Sequence, residues 1–416
     1  MSQKVGLTST ANENGVRPRG SAPRRALAVL STWPLEPADN GRKQRTRRMI
    51  DALAQDFDIT LITLTPPSDL PVSQAASPNV AHVHALAMPH EPSSTPLKIG
   101  KTLHRYPRSQ VELWCASTAD RIASIVARSG AEAVIGTDLR SVRYLAALPE
   151  DVCTILDEPD VSWIVEEARG VRPRSRALAK KTRWLLSDVA GRLDGVIVAS
   201  QLEADAYLTF APRPLPVVIE NAVGGLPART WTPHEGDSLV FTGSITYQPN
   251  YDAVRFIRQQ VLPLLAGRNI AMNAVVTGAL PAGGPPPELS SPRIHFTGRL
   301  PDLEETLLNA QIFVCPLFDG TGTRVKLLEA MAYGLPIIST RKGAEGLVVR
   351  DEHHLIFADT PAEFARAIVK LRNHPRLCRV LGRNARSLVA DRYTWDVQGS
   401  QLRTFVSETL AVQQRS

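Results

Sequence analysis

The sequence has few cysteines and no long apolar run. Its four cysteines, Cys115, Cys153, Cys315 and Cys378, lie far apart in 416 residues and form no CxxC pair, so it indicates neither a zinc site nor a disulfide framework. The apolar runs are far shorter than the roughly 20 residues that span a bilayer, and we expect no transmembrane helix. The basic start precedes only a short apolar segment without a small-residue cleavage site, which predicts no signal peptide. We therefore expect a reducing, cytoplasmic compartment.

Several cofactor and catalytic motifs are also missing. No GxGxxG follows the first predicted strand, which disfavours a dinucleotide redox cofactor. The nine histidines show no HExxH, and we expect His82 and His84 on one exposed strand face rather than at a metal. Ser200 and Ser244 lie in no GxSxG elbow, so hydrolase chemistry has no support. The sequence thus predicts no metal site and no required cofactor.

Positive charge is concentrated at the start of the chain. The first fifty residues hold ten Lys or Arg against three Asp or Glu, and the whole chain has a formal net charge of +7. A nucleic-acid-coating protein would spread basic stripes with interleaved aromatic residues, so we expect no nucleic acid partner. An anionic membrane surface or a phosphate-bearing ligand fits better. A solvated tail with one basic helix face explains Arg17 to Arg25 equally well.

Short β-branched runs alternate with helical patterns in two series. Residues 1–24 have no apolar period and are expected to form a disordered basic tail. Residues 25–212 and 213–395 each hold apolar strands followed by crossover helices, which predicts two doubly wound parallel sheets. A linker rich in proline and glycine joins them. Residues 396–416 are expected to form a C-terminal helix that packs back on the N-terminal domain.

The second series holds one locally encoded helix start. Thr360, Pro361 and Glu363 stand where a capping box places its N-cap, first helical residue and reciprocal carboxylate. Two doubly wound domains joined by one linker leave a cleft between the carboxyl ends of their sheets. Ligands bind at such ends, where the strand order reverses.

A glycine-rich, cationic loop precedes one helix of this second series. In "IFVCPLFDGTGTRVKLLEAMA" the run "IFVCPL" predicts a strand and "RVKLLEAMA" a helix, so "FDGTGT" lies at the strand's carboxyl end. Helix N-termini carry free N–H groups and about half a positive charge. Gly320 and Gly322 allow a diphosphate to approach the backbone, and Arg324 and Lys326 add positive charge. A surface pair of Lys326 and Glu329 on an ordinary helix is the alternative.

Four segments resemble the retaining GT-B glycosyltransferases of family 4. "GTRVKLLEAMAYGLPIISTRKGAEGL" resembles their donor-binding segment, and "FTGSITYQPNYDAVRFI" resembles the first strand, loop and helix of their C-terminal domain. "WPLEPADNGRKQRT" is similar to the glycine-containing loop after their first strand, and "VIENAV" to the segment that opens their C-terminal half. The resemblance implies an α/β GT-B fold, with two doubly wound Rossmann-like domains facing across a cleft.

The resemblance also implies a site for a nucleoside-diphosphate sugar. The Glu329 carboxylate would accept hydrogen bonds from the ribose hydroxyls. The other donor-binding positions that it implies are Asn40, Gly41, Gly243, Ser244, Gly298, Arg299, Gly320, Thr321 and Gly322. Arg324 and Lys326 would act in catalysis by stabilising the departing diphosphate. The nearby "RKQRTRR" helix is expected to contact phosphate or a membrane.

Two positions depart from the family pattern. A second glutamate is usual eight residues before the ribose glutamate, but Thr321 stands there, and Asp319 is close enough to substitute as a catalytic candidate. The basic residue usual after "FTG" is missing, with Asn250 near its place, and we expect Arg324 and Lys326 to compensate. The identity of the donor sugar therefore stays open.

One acidic run ends a predicted strand of the first series. The first carboxylate of "DEPD", Asp157, is a further catalytic candidate, because the run could hold a metal or touch the acceptor. An N-cap role for Asp160 is the alternative.

The sequence therefore predicts an enzyme that transfers a sugar from a nucleoside-diphosphate sugar to a hydroxyl acceptor, with retention implied by the resemblance. The basic N-terminal region suggests a polyprenyl-linked glycan acceptor, peripheral contact with the inner membrane face, and a role in cell-surface polysaccharide or glycoconjugate synthesis. A nucleotide-sugar 2-epimerase is one alternative, although it would need further acids and histidines. A catalytically silent nucleotide-sugar-binding protein is the other, because Thr321 replaces the usual glutamate.

Overall fold

The computed structural model divides the chain into two compact units. The residues that it describes are 10–11, 24–36, 41–66, 79–89, 104–157, 161, 173–320 and 325–415. The first unit comprises Met1–Glu220 and Gly399–Ser416, and the second comprises Asn221–Gln398. None of the helices in the described ranges is long and apolar enough to cross a membrane.

The first unit contains an eight-stranded sheet of order β1-β4-β3-β2-β5-β6-β7-β8. Its strands are β1 (Thr10–Ala11), β2 (Arg25–Ser31), β3 (Phe57–Thr65), β4 (His82–Ala87), β5 (Ala133–Gly136), β6 (Cys153–Asp157), β7 (Gly195–Val198) and β8 (Pro216–Val218). All neighbours pair in parallel except β1, which is antiparallel to β4. The expected disordered tail is therefore interrupted at Thr10–Ala11, and the rest of residues 1–23 lies outside the described ranges.

Helices accompany these strands. They are α1 (Gly41–Leu53), α2 (Arg108–Glu112), α3 (Ala116–Ser129), α4 (Val142–Leu145), α5 (Pro173–Val189) and α6 (Gln201–Leu208). Helix α1 buries Met49, Ile50 and Leu53, as its apolar spacing predicts. The sequence pattern predicts a helix around Glu112 to Arg128, and α3 begins four residues later, after Cys115, whose backbone is extended. The pattern also predicts a long helix from about Ser162 to Val189, whose start lies outside the described residues.

The second unit contains a six-stranded parallel sheet of order β11-β10-β9-β12-β13-β14. Its strands are β9 (Ser238–Thr242), β10 (Asn273–Thr277), β11 (Ile294–Gly298), β12 (Ile312–Cys315), β13 (Ile337–Ser339) and β14 (Ile356–Phe357). The helices from here to the end of the chain are α7 (Gln248–Phe256), α8 (Leu262–Ala266), α9 (Glu304–Leu308), α10 (Val325–Tyr333), α11 (Pro361–Asn373), α12 (Pro375–Arg392) and α13 (Trp395–Gln413). A π-helical turn, Ile257–Val261, joins α7 to α8. The predicted capping box at Thr360 is confirmed.

The boundary of the first unit lies beyond residue 212, where the sequence pattern placed it. Strand β8 pairs in parallel with β7, so it belongs to the first sheet, and that unit ends at Glu220. Helix α13 begins in the second unit and continues from Gly399 in the first. There Arg403 Nε lies 3.0 Å from Asp56 Oδ2, and Gln413 Nε2 donates to the Glu150 carbonyl at 3.1 Å.

Each sheet has one place where its strand order reverses. In the first sheet this switch point lies between β2 and β5, because β3 and β4 continue from β2 on one side and β6 to β8 from β5 on the other. In the second sheet it lies between β9 and β12 for the same reason. Open parallel sheets bind ligands at the carboxyl ends of the strands flanking such a point. The fold thus selects two places in which to look for a functional site.

Candidate functional site

The backbone at the second switch point is shaped by glycines. Gly243 follows β9 with φ of 151°, and Gly278 follows β10 with φ of 143°. A Cβ atom on Gly278 would lie 2.3 Å from the carbonyl oxygen of Gly243. A Cβ atom on Gly243 would lie 2.6 Å from both Asn250 Nδ2 and Lys326 Nζ. Only glycine fits at these two positions, because the strand ends and the side chains of Asn250 and Lys326 pack closely around them.

Lys326 joins the two sides of this switch point. It stands in the first turn of α10, the helix after β12, and its Nζ donates to Asn250 Oδ1 at 2.7 Å. Asn250 Nδ2 donates in turn to the carbonyl oxygen of Ser244, which follows β9, at 2.9 Å. The Lys326 ammonium also lies 4.4 Å from the centroid of the Phe241 ring. These contacts hold a cation beside the carboxyl end of β9.

Glu329 lies one turn after Lys326 on the same helix. Burial raises the pKa of its carboxyl to about 7, and the Lys326 ammonium acts in the opposite direction. Both side chains are only partly exposed, whereas Leu328 and Met331 beside them are fully buried. This environment differs from the solvated surface pair that the sequence left as an alternative, and it offers one carboxylate at the helix entrance.

The loop after β12 continues the same edge. Gly320 is buried and has φ of 94°, and its N–H donates to Asp319 Oδ1 at 2.7 Å. Asp319 itself is exposed. The predicted site residues Thr321, Gly322 and Arg324 lie outside the described residues, as does Asn40.

The remaining donor-binding candidates of the second unit line its carboxyl edge. Gly298 ends β11 with φ of 70°, and its carbonyl accepts from the N–H of Gly278 at 2.9 Å. Arg299, the next residue, is exposed. Ser244 Oγ lies 2.7 Å from Thr246 Oγ1. The structure therefore brings Gly243, Gly278 and Gly298 into one backbone-lined row across three neighbouring strands.

Asp157 of the first unit has a different environment from the one expected. Its side chain is 1% exposed, and its two oxygens accept from Arg45 Nε at 3.0 Å and Arg45 Nη2 at 2.7 Å. Arg45 Nη1 also donates to the carbonyl oxygen of Ile219 at 3.0 Å. This buried pair anchors α1 on the sheet, which favours a structural role for Asp157. Arg45, from the basic run expected to meet phosphate or membrane, is turned inward, whereas Gly41 at the start of α1 is exposed.

Sequence reasoning missed a polar cluster at the first switch point. Asp138 follows β5, is fully buried, and accepts from Thr32 Oγ1 and from the N–H of Arg140. The Arg140 guanidinium lies 3.5 Å from the centroid of the Trp33 ring. The sequence signal was available, since Thr32 and Asp138 directly follow apolar strands. Within the described ranges, no group of three or more His, Cys, Asp or Glu side chains could hold a metal ion.

One part of the chain matches a known protein family. Residues 236–374 match the family of glycosyl transferases group 1, a range that includes Gly243, Asn250, Lys326 and Glu329. A phosphatidyl-myo-inositol mannosyltransferase of Mycobacterium leprae is 32% identical over 123 residues, which are 28% of this chain and 32% of that protein. The chain spans between 27% and 32% of the length of the curated relatives that it matches.

Solved structures resemble nearly the whole chain. Sucrose-phosphate synthase of Thermosynechococcus elongatus has a TM-score of 0.68 at 18% identity, over 94% of this chain and 100% of that one. HepE of Anabaena, solved in complex with UDP, has a TM-score of 0.66 at 12% identity, over 93% of this chain and 100% of that one. The predicted GT-B fold is confirmed, and residues 236–374, which hold the Lys326 site, match the glycosyl transferases of group 1.

Proposed function

We propose that this protein is a glycosyltransferase that moves a sugar from a nucleoside-diphosphate sugar to a hydroxyl acceptor with retention. The observation that carries the proposal is the contact of Lys326 Nζ with Asn250 Oδ1 at 2.7 Å, beside Gly243. The contact lies at the switch point of the second sheet and within the range that matches the glycosyltransferase family.

The chemistry at this site is the stabilisation of a leaving diphosphate. The Lys326 ammonium and the N-terminus of α10 supply positive charge where the nucleoside diphosphate departs. Gly243 leaves room for the Lys326 ammonium, because a Cβ atom there would lie 2.6 Å from Lys326 Nζ. Arg324 stands two residues before Lys326 in the chain and adds a guanidinium that suits phosphate. Fixed charges of this kind need no reorganisation while the sugar becomes cationic in the transition state.

Glu329 is proposed to bind the ribose. A carboxylate accepts hydrogen bonds from two neighbouring hydroxyls through its two oxygens. A pKa of about 7, caused by burial, makes this acceptor sensitive to pH near neutrality. The exposed Asp319 stays a candidate for contact with the donor sugar, and Arg299 and Gly298 for the edge of the base pocket.

UDP-sugars are the first donors to examine. HepE of Anabaena has been solved with UDP-glucose, at a TM-score of 0.64 to this chain, and the matched mycobacterial relative is a mannosyltransferase by name. The acceptor that we propose is the hydroxyl of a glycan carried on a polyprenyl lipid, used in cell-surface polysaccharide or glycoconjugate synthesis. Attraction of the basic first fifty residues to anionic lipid at the inner face of the membrane supports this acceptor.

A donor screen followed by product analysis tests the proposal. We expect one nucleoside diphosphate and its sugar to raise the melting temperature of the full-length protein, because a ligand that binds only the native state stabilises it. With that donor, release of nucleoside diphosphate should depend on the acceptor, and NMR of the product should show the anomeric configuration of the donor.

Two outcomes of this screen would contradict the proposal. Conversion of the free nucleotide sugar without an acceptor would indicate an epimerase. Tight nucleotide binding without turnover of any sugar would indicate a silent binding protein. The comparisons favour transfer over both, since the relatives and the matched family are glycosyltransferases by name.

A further inference from the structure

The first switch point carries an exposed tryptophan. Trp33 stands two residues after the end of β2, and 40% of its surface is exposed. The nearby Thr32 and Leu35 are buried, with exposed fractions of 0% and 2%. Leaving an indole in water costs the free energy that its burial would contribute. Trp33 therefore presents a partly exposed aromatic ring at the edge of the sheet where ligands bind.

Trp33 is held in place from one side by a charged pair. The guanidinium of Arg140, a side chain that is only 15% exposed, lies 3.5 Å from the centroid of the indole. Arg140 Nη2 donates to Asp138 Oδ2 at 3.1 Å, and its N–H donates to Asp138 Oδ1 at 2.8 Å. The fully buried Asp138 also accepts from Thr32 Oγ1, on the residue directly before Trp33.

These contacts connect both strands of the switch point. Thr32 and Trp33 follow β2, whereas Asp138 and Arg140 follow β5. The ring orientation is therefore fixed by packing against Arg140 before any ligand arrives. A rigid aromatic surface loses little conformational entropy on binding, so more of its interaction energy is available for affinity.

We propose that the exposed part of Trp33 binds a pyranose ring of the acceptor. One face of a pyranose presents several C–H groups, and the electron-rich face of an indole is complementary to them. Arg140, whose guanidinium packs on this ring, and Arg42, whose Nη1 lies 3.8 Å from Asp138 Oδ2, add positive charge to the same cluster. The role of the sugar as acceptor rests on the proposed function, whereas its binding to Trp33 does not.

A second exposed tryptophan in the same unit provides a matched control. Trp184 on α5 is 38% exposed, and it also lies near cations, with Lys180 Nζ at 4.7 Å and the Arg105 guanidinium at 5.7 Å from its ring. It differs from Trp33 in its position, because α5 follows β6 in the chain and carries no strand end of the switch point. Non-specific binding of sugars to exposed indoles would be reduced equally by substitution of either tryptophan.

Binding of simple sugars to the full-length protein without donor tests the site itself. The probes are methyl glucopyranoside, galactopyranoside and mannopyranoside, observed by saturation-transfer NMR. We expect the signal of at least one sugar to be lost in Trp33→Ala, to persist in part in Trp33→Tyr, and to be unchanged in Trp184→Ala. Equal signals in wild type and Trp33→Ala, equal losses in both alanine variants, or no binding of any of the three sugars to the wild type would overturn the proposal.

The acceptor KM of the transfer reaction, measured beside nucleotide binding, distinguishes a failure of the Trp33 site from a failure of the proposed function. We expect Trp33→Ala to raise the acceptor KM by about tenfold, in line with one lost aromatic contact, with the nucleotide Kd unchanged. Arg140→Met should raise the acceptor KM less, and Arg140→Lys should restore part of it. A wild type that binds no nucleoside diphosphate would refute the transferase but leave the sugar-binding result standing. An unchanged acceptor KM in Trp33→Ala would refute only the acceptor role of Trp33.

Discussion

The two switch points of this protein occupy the same topological place but are built from different chemistry. In the second sheet, Gly243 and Gly278 pack closely together beside one lysine, Lys326. In the first sheet, a buried aspartate, Asp138, holds Arg140 against the exposed indole of Trp33. The first arrangement offers a cation for phosphate oxygens, and the second offers an aromatic surface for a sugar ring.

This difference teaches that equal topology does not imply equal ligands. A strand order places the site, but the residues immediately after the strands decide what it binds. Glycines make room for a cation at the second switch point, whereas charged side chains support an aromatic ring at the first. The predictions below separate the two sites by damaging one and measuring the other.

The largest effect is expected from the buried ion pair of the first unit. Arg45→Met leaves the carboxylate of Asp157 buried without its partner, which should lower the free energy of unfolding by about 3–5 kcal/mol. Urea denaturation measures it. The control is Arg47→Met on the same helix, which removes a 2.7 Å pair with Glu36 whose side chains are 41% and 40% exposed, and should change stability by less than about 1 kcal/mol. Equal effects of the two variants would contradict a structural role for Arg45.

The next effect concerns the glycine row of the second unit. In Gly278→Ala the new Cβ would meet the Gly243 carbonyl at 2.3 Å, so we expect a loss of about 1–3 kcal/mol in stability and a weaker affinity for nucleoside diphosphates. Gly225→Ala, where a Cβ meets nothing within 4 Å, is the control. Calorimetric titration and denaturation measure the two quantities. Binding of methyl pyranosides should not change in Gly278→Ala. A loss of this binding would contradict the claim that the two sites bind their ligands independently.

The smallest effect is a pH dependence at Glu329. Its pKa is about 7 in the folded protein and 4.5 in the unfolded chain. The unfolded chain therefore releases the proton first, and the stability contributed by the neutral carboxyl is complete below pH 4.5 and is lost as the pH rises to about 7. Glu329→Gln should remove this part of the pH dependence of the unfolding free energy.

Nucleotide affinity should respond to the same proton in the opposite direction. Because an ionised carboxylate is the stronger acceptor for ribose hydroxyls, the affinity of the wild type should rise about fivefold as the pH increases through 7. Titrations at several pH values with a nucleoside-diphosphate sugar, whose phosphates carry no proton that titrates near pH 7, should show a flat affinity for Glu329→Gln. Identical pH profiles for the two proteins would refute the ribose contact.

The fold was predictable because its signals are local. The capping box of Thr360 and Glu363 spans four residues, and buried parallel strands such as β5 appear as short apolar runs. The helix boundaries were less predictable, since α3 begins at Ala116 rather than near Glu112. Such boundaries depend on the packing of the whole unit rather than on nearby residues.

The candidate site was predictable only in part, because its partners are distant in sequence. Lys326 and Asn250 are 76 residues apart, and the sequence named both without pairing them. Thr32 and Asp138 are 106 residues apart, and Arg45 and Asp157 are 112 apart. Only the order of the strands brings these side chains together. For that reason the sequence predicted a catalytic role for Asp157, whereas the structure pairs its carboxylate with the buried Arg45.

Calorimetric titration of Lys326→Met tests the central claim most directly. The account predicts that this variant weakens binding of the preferred nucleoside diphosphate about 10- to 100-fold, the value of one charge-assisted hydrogen bond, and leaves the affinity for the parent nucleoside nearly unchanged. Lys370→Met, which removes an exposed lysine paired with Glu352 on the same unit, should bind both as the wild type does. An unchanged affinity of Lys326→Met for the diphosphate, or an equal loss for the nucleoside, would contradict the account.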